Sequence, residues 1–358
     1  MITDKVLIVA DYKIKYNQGG PQGYYTKCIH ENIPSNVEVI NSIQTREISL
    51  IKKIKLRTNY IKNNISQRKI HNQNLVNKFI KTPKYKYLYF HEIFSLYDVI
   101  NLISDDQIVI LQSHSPELPS QEEYNKGANL RNYKIIKSIE EKSFKRANVL
   151  VLPNKNCVDI YKTLITKKHD IKYLITGIKL VENINPLPID ISKINLFYIG
   201  RRIEIKGFHK MLKVFNEVSK ERDDLRLYIA GKGNRILGKN IIDIGTTEIA
   251  LSWIKSMDFV LAPNLASYFD LNVIEAISMG SPLIMTTTEG HEFFNERKGI
   301  ISVKMNNFKE TLLDKTLVNK EYKKENNSQL LEFYNKELSA SRYQENLKNL
   351  SNEIITEY

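Results

Sequence analysis

Two successive rounds of short apolar segments, separated by helix-length stretches, constrain the fold of this chain more than any other feature. In the first round, residues 5–10, 37–40, 85–90, 108–112 and 149–152 read as strands, and stretches such as 122–146 read as helix. In the second, the strand candidates are 194–199, 225–230, 241–244, 259–261 and 282–285. Short apolar runs alternating with helices are the pattern of a parallel sheet covered on both faces. Residues 181–192, with Pro186 and Pro188, read as a linker between the rounds. From Leu312 onward the pattern is mostly helical, ending in 334–358. A chain of 358 residues can carry two such domains. The expected division is 1–180, a linker at 181–192, 193–335, and a last helix over 336–358 that packs back on the first domain.

Charge is unevenly placed. Of the net +13, residues 1–180 supply all of it, with 29 Lys and Arg against 16 Asp and Glu; residues 181–358 hold 24 of each. Residues 48–91 contain eleven basic residues and no acidic one, with Ile51, Ile54, Leu56, Tyr60 and Ile61 interleaved among them. That is a basic, partly amphipathic helix candidate. It suits either a solvated face or an anionic partner, such as a membrane surface or a phosphate-bearing acceptor. No nucleic-acid motif accompanies it. The two cysteines, Cys28 and Cys157, have no metal-ligand spacing and make no disulfide framework, which fits a reducing cytosol. No signal peptide and no apolar stretch of membrane-spanning length is visible.

Gly200-Arg201-Arg202-Ile203-Glu204-Ile205-Lys206-Gly207 follows the apolar run 194–199 and precedes an amphipathic segment, 208–218. The context reads as strand, tight turn, helix. Gly200 permits the turn, and Arg201 and Lys206 converge on a helix start, where an anion is already favoured. Basic residues in such a turn also serve as plain solvated surface. About sixty residues on, residues 262–282 repeat strand, loop, helix, glycine stop and strand, including Ser267-Tyr268-Phe269-Asp270-Leu271-Asn272-Val273-Ile274-Glu275-Ala276 and Gly280-Ser281-Pro282.

Together the two elements resemble the donor half of retaining glycosyltransferases of family 4, which carry G-R-x4-K-G and a later E-x7-E ending in E-A-x3-G-x-P. The resemblance implies an α/β, GT-B fold: two doubly wound Rossmann-like domains facing a cleft, with C-terminal helices. It implies that Arg201 and Lys206 bind the diphosphate of a nucleotide-sugar donor, without a metal. It implies that Glu275 accepts hydrogen bonds from the ribose, and that the amides of Leu271, Asn272 and Val273 face the phosphates or sugar. One position departs: Ser267 stands where the family has its first Glu, which contacts a donor-sugar hydroxyl. Asp270, three residues on, is the candidate replacement.

In the first half, Gly19 and Gly20 resemble the family's glycine loop after the first strand, or form an ordinary turn. His114, at the end of a strand, resembles the family histidine that touches the donor sugar. His91-Glu92 also ends a strand, as a structural or acceptor-side pair. Gly231 and Gly233 resemble the glycine turn near the nucleotide, and Gly290 with Glu292 resembles a late G-x-E element. The pairs Asp105-Asp106 and Asp223-Asp224 read as turn and helix-end residues. The expectation is a metal-independent, cofactor-free hexosyltransferase working with retention on a carbohydrate or lipid-linked acceptor, in bacterial surface polysaccharide or glycoconjugate synthesis. Its expected place is the cytoplasm or the inner face of the membrane. The alternatives are a degenerate GT-B module that binds glycan or supports a partner enzyme, and a GT-B sugar-nucleotide epimerase.

Overall fold

The computed structural model describes residues 3–10, 20–30, 33–41, 85–125, 127 and 129–358. The basic stretch 48–91 therefore lies outside the described residues up to 84, as does Gly19. The chain divides into two compact units, residues 1–175 with 343–358, and residues 176–342.

The first unit is built on six parallel strands, in the spatial order β2 (Val37–Asn41), β1 (Thr3–Ala10), β3 (Tyr85–Phe90), β4 (Ile108–Leu111), β5 (Val149–Leu152) and β6 (Asp170–Tyr173). Strands covered on both faces need apolar side chains on both, and Val6, Leu7, Ile8 and Val9 are all buried. The end of the chain completes this unit. Tyr343, Leu347, Leu350 and Ile354 recur at helical spacing on the helix Ala340–Glu357 and are buried. The Tyr343 hydroxyl meets that of Tyr24 at 2.6 Å, and the Tyr87 hydroxyl donates to the Ile355 carbonyl at 3.1 Å.

Three expectations need correction. The stretch 122–146 is two helices, Pro119–Asn125 and Leu130–Arg146. Gly127, at φ +99°, lies in the break, and the Asn129 side chain accepts from the Asn132 amide at 2.9 Å to start the second helix. The segment 334–358 is likewise broken: a π-turn, Tyr334–Leu338, stops at the extended residue Ser339 before the last helix. Two edge strands, β6 and β12 (Ile300–Val303), were not legible. β6 reads Asp-Ile-Lys-Tyr and is only half-buried, so it lacks the apolar run that marks a central strand.

The second unit is also a six-stranded parallel sheet, ordered β12, β11 (Leu283–Thr286), β10 (Phe259–Ala262), β7 (Ile194–Ile199), β8 (Leu225–Ala230) and β9 (Ile241–Gly245). Phe208, Met211, Phe215 and Val218 from the helix Phe208–Val218 pack in one core with Leu196, Tyr198, Leu227 and Ile229. The strand order places the functional sequence. From β7 the chain adds β8 and β9 on one side, then returns to add β10, β11 and β12 on the other. From neighbouring strands β7 and β10 the chain therefore runs on to opposite sides of the sheet, and ligands bind beyond the carboxyl ends at such a switch point. The two sequence elements, 200–207 and 263–270, are those two loops.

Candidate functional site

The loops after β7 and β10 are pressed together by a glycine. Gly207 sits at φ +64°, and a Cβ there would lie 1.7 Å from the Pro263 carbonyl oxygen, so any other residue would force the loops apart. Gly200, expected to make the turn, has no positive φ. The Leu265 amide donates to the Ile205 carbonyl at 2.9 Å across the same seam. The Tyr198 hydroxyl donates to the Arg201 carbonyl at 2.6 Å and fixes the start of the turn, leaving Arg201 exposed.

Across this seam Lys206 meets Asp270. Lys206 Nζ donates to Asp270 Oδ1 at 2.5 Å, while Asp270 Oδ2 accepts from Asn264 Nδ2 at 2.5 Å and contacts His291 Nε2 at 3.1 Å. His291 is fully buried, and its Nδ1 faces the Thr286 carbonyl oxygen at 3.0 Å. Burial alone would raise the Asp270 pKa, but the Lys206 ammonium and His291 outweigh it and hold the carboxyl well below the usual range. Both Asp270 oxygens are thus engaged within the protein. Asp270, the carboxylate expected to face the donor, holds Lys206 here. A diphosphate approaching Lys206 meets an anion already bound there.

Arg202, next to the expected diphosphate ligand, does something else. Its guanidinium forms a two-pronged ion pair with Asp243 at 2.5 and 2.7 Å, and both side chains are buried. Asp243 also accepts from the Ile236 and Gly245 amides, and these contacts, led by Arg202, push its pKa down to about 2. The Arg202 Nη1 donates to the Asn234 carbonyl at 2.5 Å, and a Cβ at Gly233 would lie 2.6 Å from the Arg202 Cδ. Gly231, at φ +133°, passes so close to the Gly200 carbonyl that a Cβ would approach it to 2.0 Å. Gly200, Gly231 and Gly233 therefore work as one packed turn beside β7 and β8.

Ser267 is fully buried and occupied. Its hydroxyl contacts the Thr288 hydroxyl at 2.6 Å and accepts from the His291 amide at 3.0 Å. Glu275 lies at the fifth position of the helix Leu271–Ser278, beyond the first turn, so the helix dipole does not account for it. Within the same helix Val273 donates its amide to the Asp270 carbonyl at 3.2 Å, and the Asn272 side chain donates to the Ile199 carbonyl at 3.2 Å, tying the helix to the end of β7. Gly290 lies against the Tyr268 backbone, and Glu292 accepts from Asn295 Nδ2 at 2.5 Å. Asp223 pairs with Lys193 and Lys239, Asp224 pairs with Arg222, and Asp105 and Asp106 form a turn.

In the first unit, Gly20 opens a short helix, Gly20–Tyr24. His114, beyond β4, pairs with His91, beyond the neighbouring β3: His91 Nδ1 and His114 Nε2 lie 3.1 Å apart with the rings stacked. Tyr89 stacks on His91, and the Tyr24 ring lies 4.5 Å from that of His114. Part of His114 is exposed, yet its ring is enclosed enough that burial pushes its pKa down to about 3. Burial, with His114 beside it, holds His91 well below the ordinary histidine value. Both rings are neutral at pH 7. The Glu92 carboxylate accepts from the Ser95 amide at 3.2 Å, capping the helix Ile93–Val99. Arg202, Asn264, Glu289 and His291 carried no sequence signal. His291 falls inside the Gly290–Glu292 match, but at its unspecified position.

Residues 193–317 match the family model described as Glycosyl transferases group 1. A search of the curated proteins finds no relative. Among solved structures, sucrose-phosphate synthase from Thermosynechococcus elongatus is similar at a TM-score of 0.66 and 13% identity, over 99% of this chain and 100% of that one. Anabaena Alr3699/HepE in complex with UDP-glucose is similar at 0.66 and 13%, over 97% and 99%. S. aureus TarM, in complex with fondaparinux, alpha-GlcNAc-glycerol and UDP, is similar at 0.61 and 17%, over 79% of this chain; the chain spans 59% of TarM's length. The architecture is α/β of the GT-B type with two Rossmann-like units, and the stretch that matches the group 1 glycosyl transferase model lies in the second.

Proposed function

We propose that this protein transfers a sugar from a nucleotide-diphosphate-sugar donor to a carbohydrate or lipid-linked acceptor, with retention and without a metal. The observation that carries this reading is the seam beyond β7 and β10. It brings Arg201, Lys206 and the helix bearing Glu275 to the carboxyl ends of adjacent strands, within the stretch that matches the family. There Arg201 and Lys206 would stabilise the leaving diphosphate, and losing one such contact costs about 3 kcal/mol of barrier. Glu275 would accept two ribose hydroxyls. The neutral His114 would make a polar contact to the sugar. The structures that bind UDP or UDP-glucose share the fold and support a nucleotide donor.

The proposed setting is bacterial surface polysaccharide synthesis at the cytoplasmic face of a membrane. No helix among the described residues is long and apolar enough to cross one. Residues 48–91 would meet the anionic surface, and liposome co-sedimentation across a salt series tests that: binding equal for anionic and neutral lipid contradicts it. Incubation with a panel of nucleotide sugars, with and without EDTA, tests the reaction. Turnover of at least one donor that survives EDTA is expected; turnover that requires added metal contradicts it. A second reading, a degenerate module that binds glycan without turnover, is favoured by the Lys206–Asp270 pair and the occupied Ser267. It predicts glycan binding and no turnover with any donor.

A further inference from the structure

We infer that Glu289 is the acid that recognises the sugar part of the donor. The inference rests on the proposed donor site and adds to it the residue that reads the sugar. Five acids lie on the loops and helix beyond β10 and β11, of which Glu296 is exposed at the far end of the last loop, next to β12. Asp270 has both oxygens engaged, by Lys206 on one side and by Asn264 and His291 on the other. Glu292 accepts from Asn295, three residues on. Glu275 lies on the helix and is assigned to ribose. Glu289 remains. It is half-buried, it forms no ion pair among the described residues, and its Oε2 lies 3.4 Å from the Ser267 amide.

The backbone is built to hold it there. Four contacts tie residues 288–291 to residues 267 and 268. The Ser267 hydroxyl meets the Thr288 hydroxyl at 2.6 Å and takes the His291 amide at 3.0 Å. The Ser267 carbonyl takes the Gly290 amide at 3.2 Å. Gly290 lies so close to Tyr268 that a Cβ would sit 1.6 Å from its carbonyl oxygen. Ser267 is therefore a tie for the loop after β11, and what that loop delivers beside the loop after β10 is the Glu289 carboxylate. A carboxylate with a single long contact to a backbone amide keeps acceptor capacity for hydroxyl donors, which a hexose supplies in pairs. The same loop places His291 against Asp270, so Glu289 stands two residues from the network that holds Lys206.

The test uses the full-length chain and its variants Glu289→Gln and Glu289→Ala. Each is titrated calorimetrically with UDP, GDP and ADP, and with their glucose and N-acetylglucosamine conjugates. Thermal melting followed by Trp253 fluorescence checks that the second unit is intact. The expected result is that both variants bind the preferred diphosphate within about twofold of the parent. They should lose about tenfold or more of their affinity for its sugar conjugate, the worth of one charge-assisted hydrogen bond. Parent-like affinity for the conjugate, equal losses for diphosphate and conjugate, or a parent that gains nothing from any conjugate overturns the role of Glu289 and leaves the donor site standing. A parent that binds none of the three diphosphates overturns the donor site itself, and this inference with it.

Discussion

In the first unit, the cluster around His91 and His114 beyond β3 and β4 is neutral: two histidine rings, three tyrosines and a glutamine, in which the Tyr89 hydroxyl donates to Gln112 and Tyr24 meets Tyr343. In the second, the equivalent region is ionic: Lys206 with Asp270 and His291, and Arg202 with Asp243. Both regions follow parallel strands of the same architecture, so topology does not set the difference. A neutral aromatic cluster costs little to bury and offers hydrogen bonds and ring faces. An ion network is expensive to desolvate and repays that only when every charge is matched. The second unit thus carries concentrated charge at the position where a diphosphate would arrive, while the first carries contacts suited to uncharged hydroxyls and rings.

The sharpest way to break this comparison is to remove one charge. Asp270→Ala leaves the Lys206 ammonium and His291 Nε2 without their shared acceptor, and should cost about 3 kcal/mol of stability. Trp253, the single tryptophan, stacks on Phe197 in the second unit and reports its denaturant unfolding. His91→Phe keeps the ring against Tyr89 and removes a side chain whose Nε2 has no partner among the described residues, so it should cost about 1 kcal/mol. Equal costs would erase the distinction.

Acid should then separate the units. The folded pKa values of His91 and His114 lie below the unfolded value of about 6.5, so the unfolded state takes up the proton first. The first unit should lose stability as pH falls through about 6.5 toward about 3. Asp243 and Asp270 have lowered values, so their contribution is full above about 4 and lost only below it, for Asp243 by about pH 2. Hydrogen exchange, corrected for intrinsic rates, should show protection in the first unit falling between pH 7 and 5 while the Trp253 region holds. The reverse order would contradict the assignment.

Smaller effects refine the picture. Glu275→Gln keeps shape and loses charge, so binding of a nucleoside alone should weaken severalfold; unchanged binding makes Glu275 structural. Lys172→Met removes three ion pairs, to Asp170, Glu353 and Glu357, whose carboxylates face solvent. It should cost less than about 1 kcal/mol. A larger loss would show that the exposed pairs contribute as much as the buried ones.

How much of this was legible follows from what a pattern can encode. Apolar runs announced ten strands, the edge strands β2 and β9 among them, while the half-buried edge strand β6 has no such run and the four-residue edge strand β12 was not read either. The strand-turn-helix context of Arg201 and Lys206 was also readable, because glycines and apolar spacing fix it. Which groups would pair was not. Lys206 and Asp270 are 64 positions apart, and His291 joins them only because β11 lies beside β10. Arg201 and Arg202 look alike in sequence. Only the fold sends one outward and locks the other onto Asp243.

The central claim is that the second unit binds a nucleoside diphosphate through Arg201 and Lys206. Calorimetric titration of UDP, GDP and ADP into the parent, Arg201→Ala and Lys206→Ala tests it most directly. The account predicts saturable binding of at least one diphosphate by the parent, weakened about tenfold or more in each variant. Binding that is equally tight in all three proteins would contradict it.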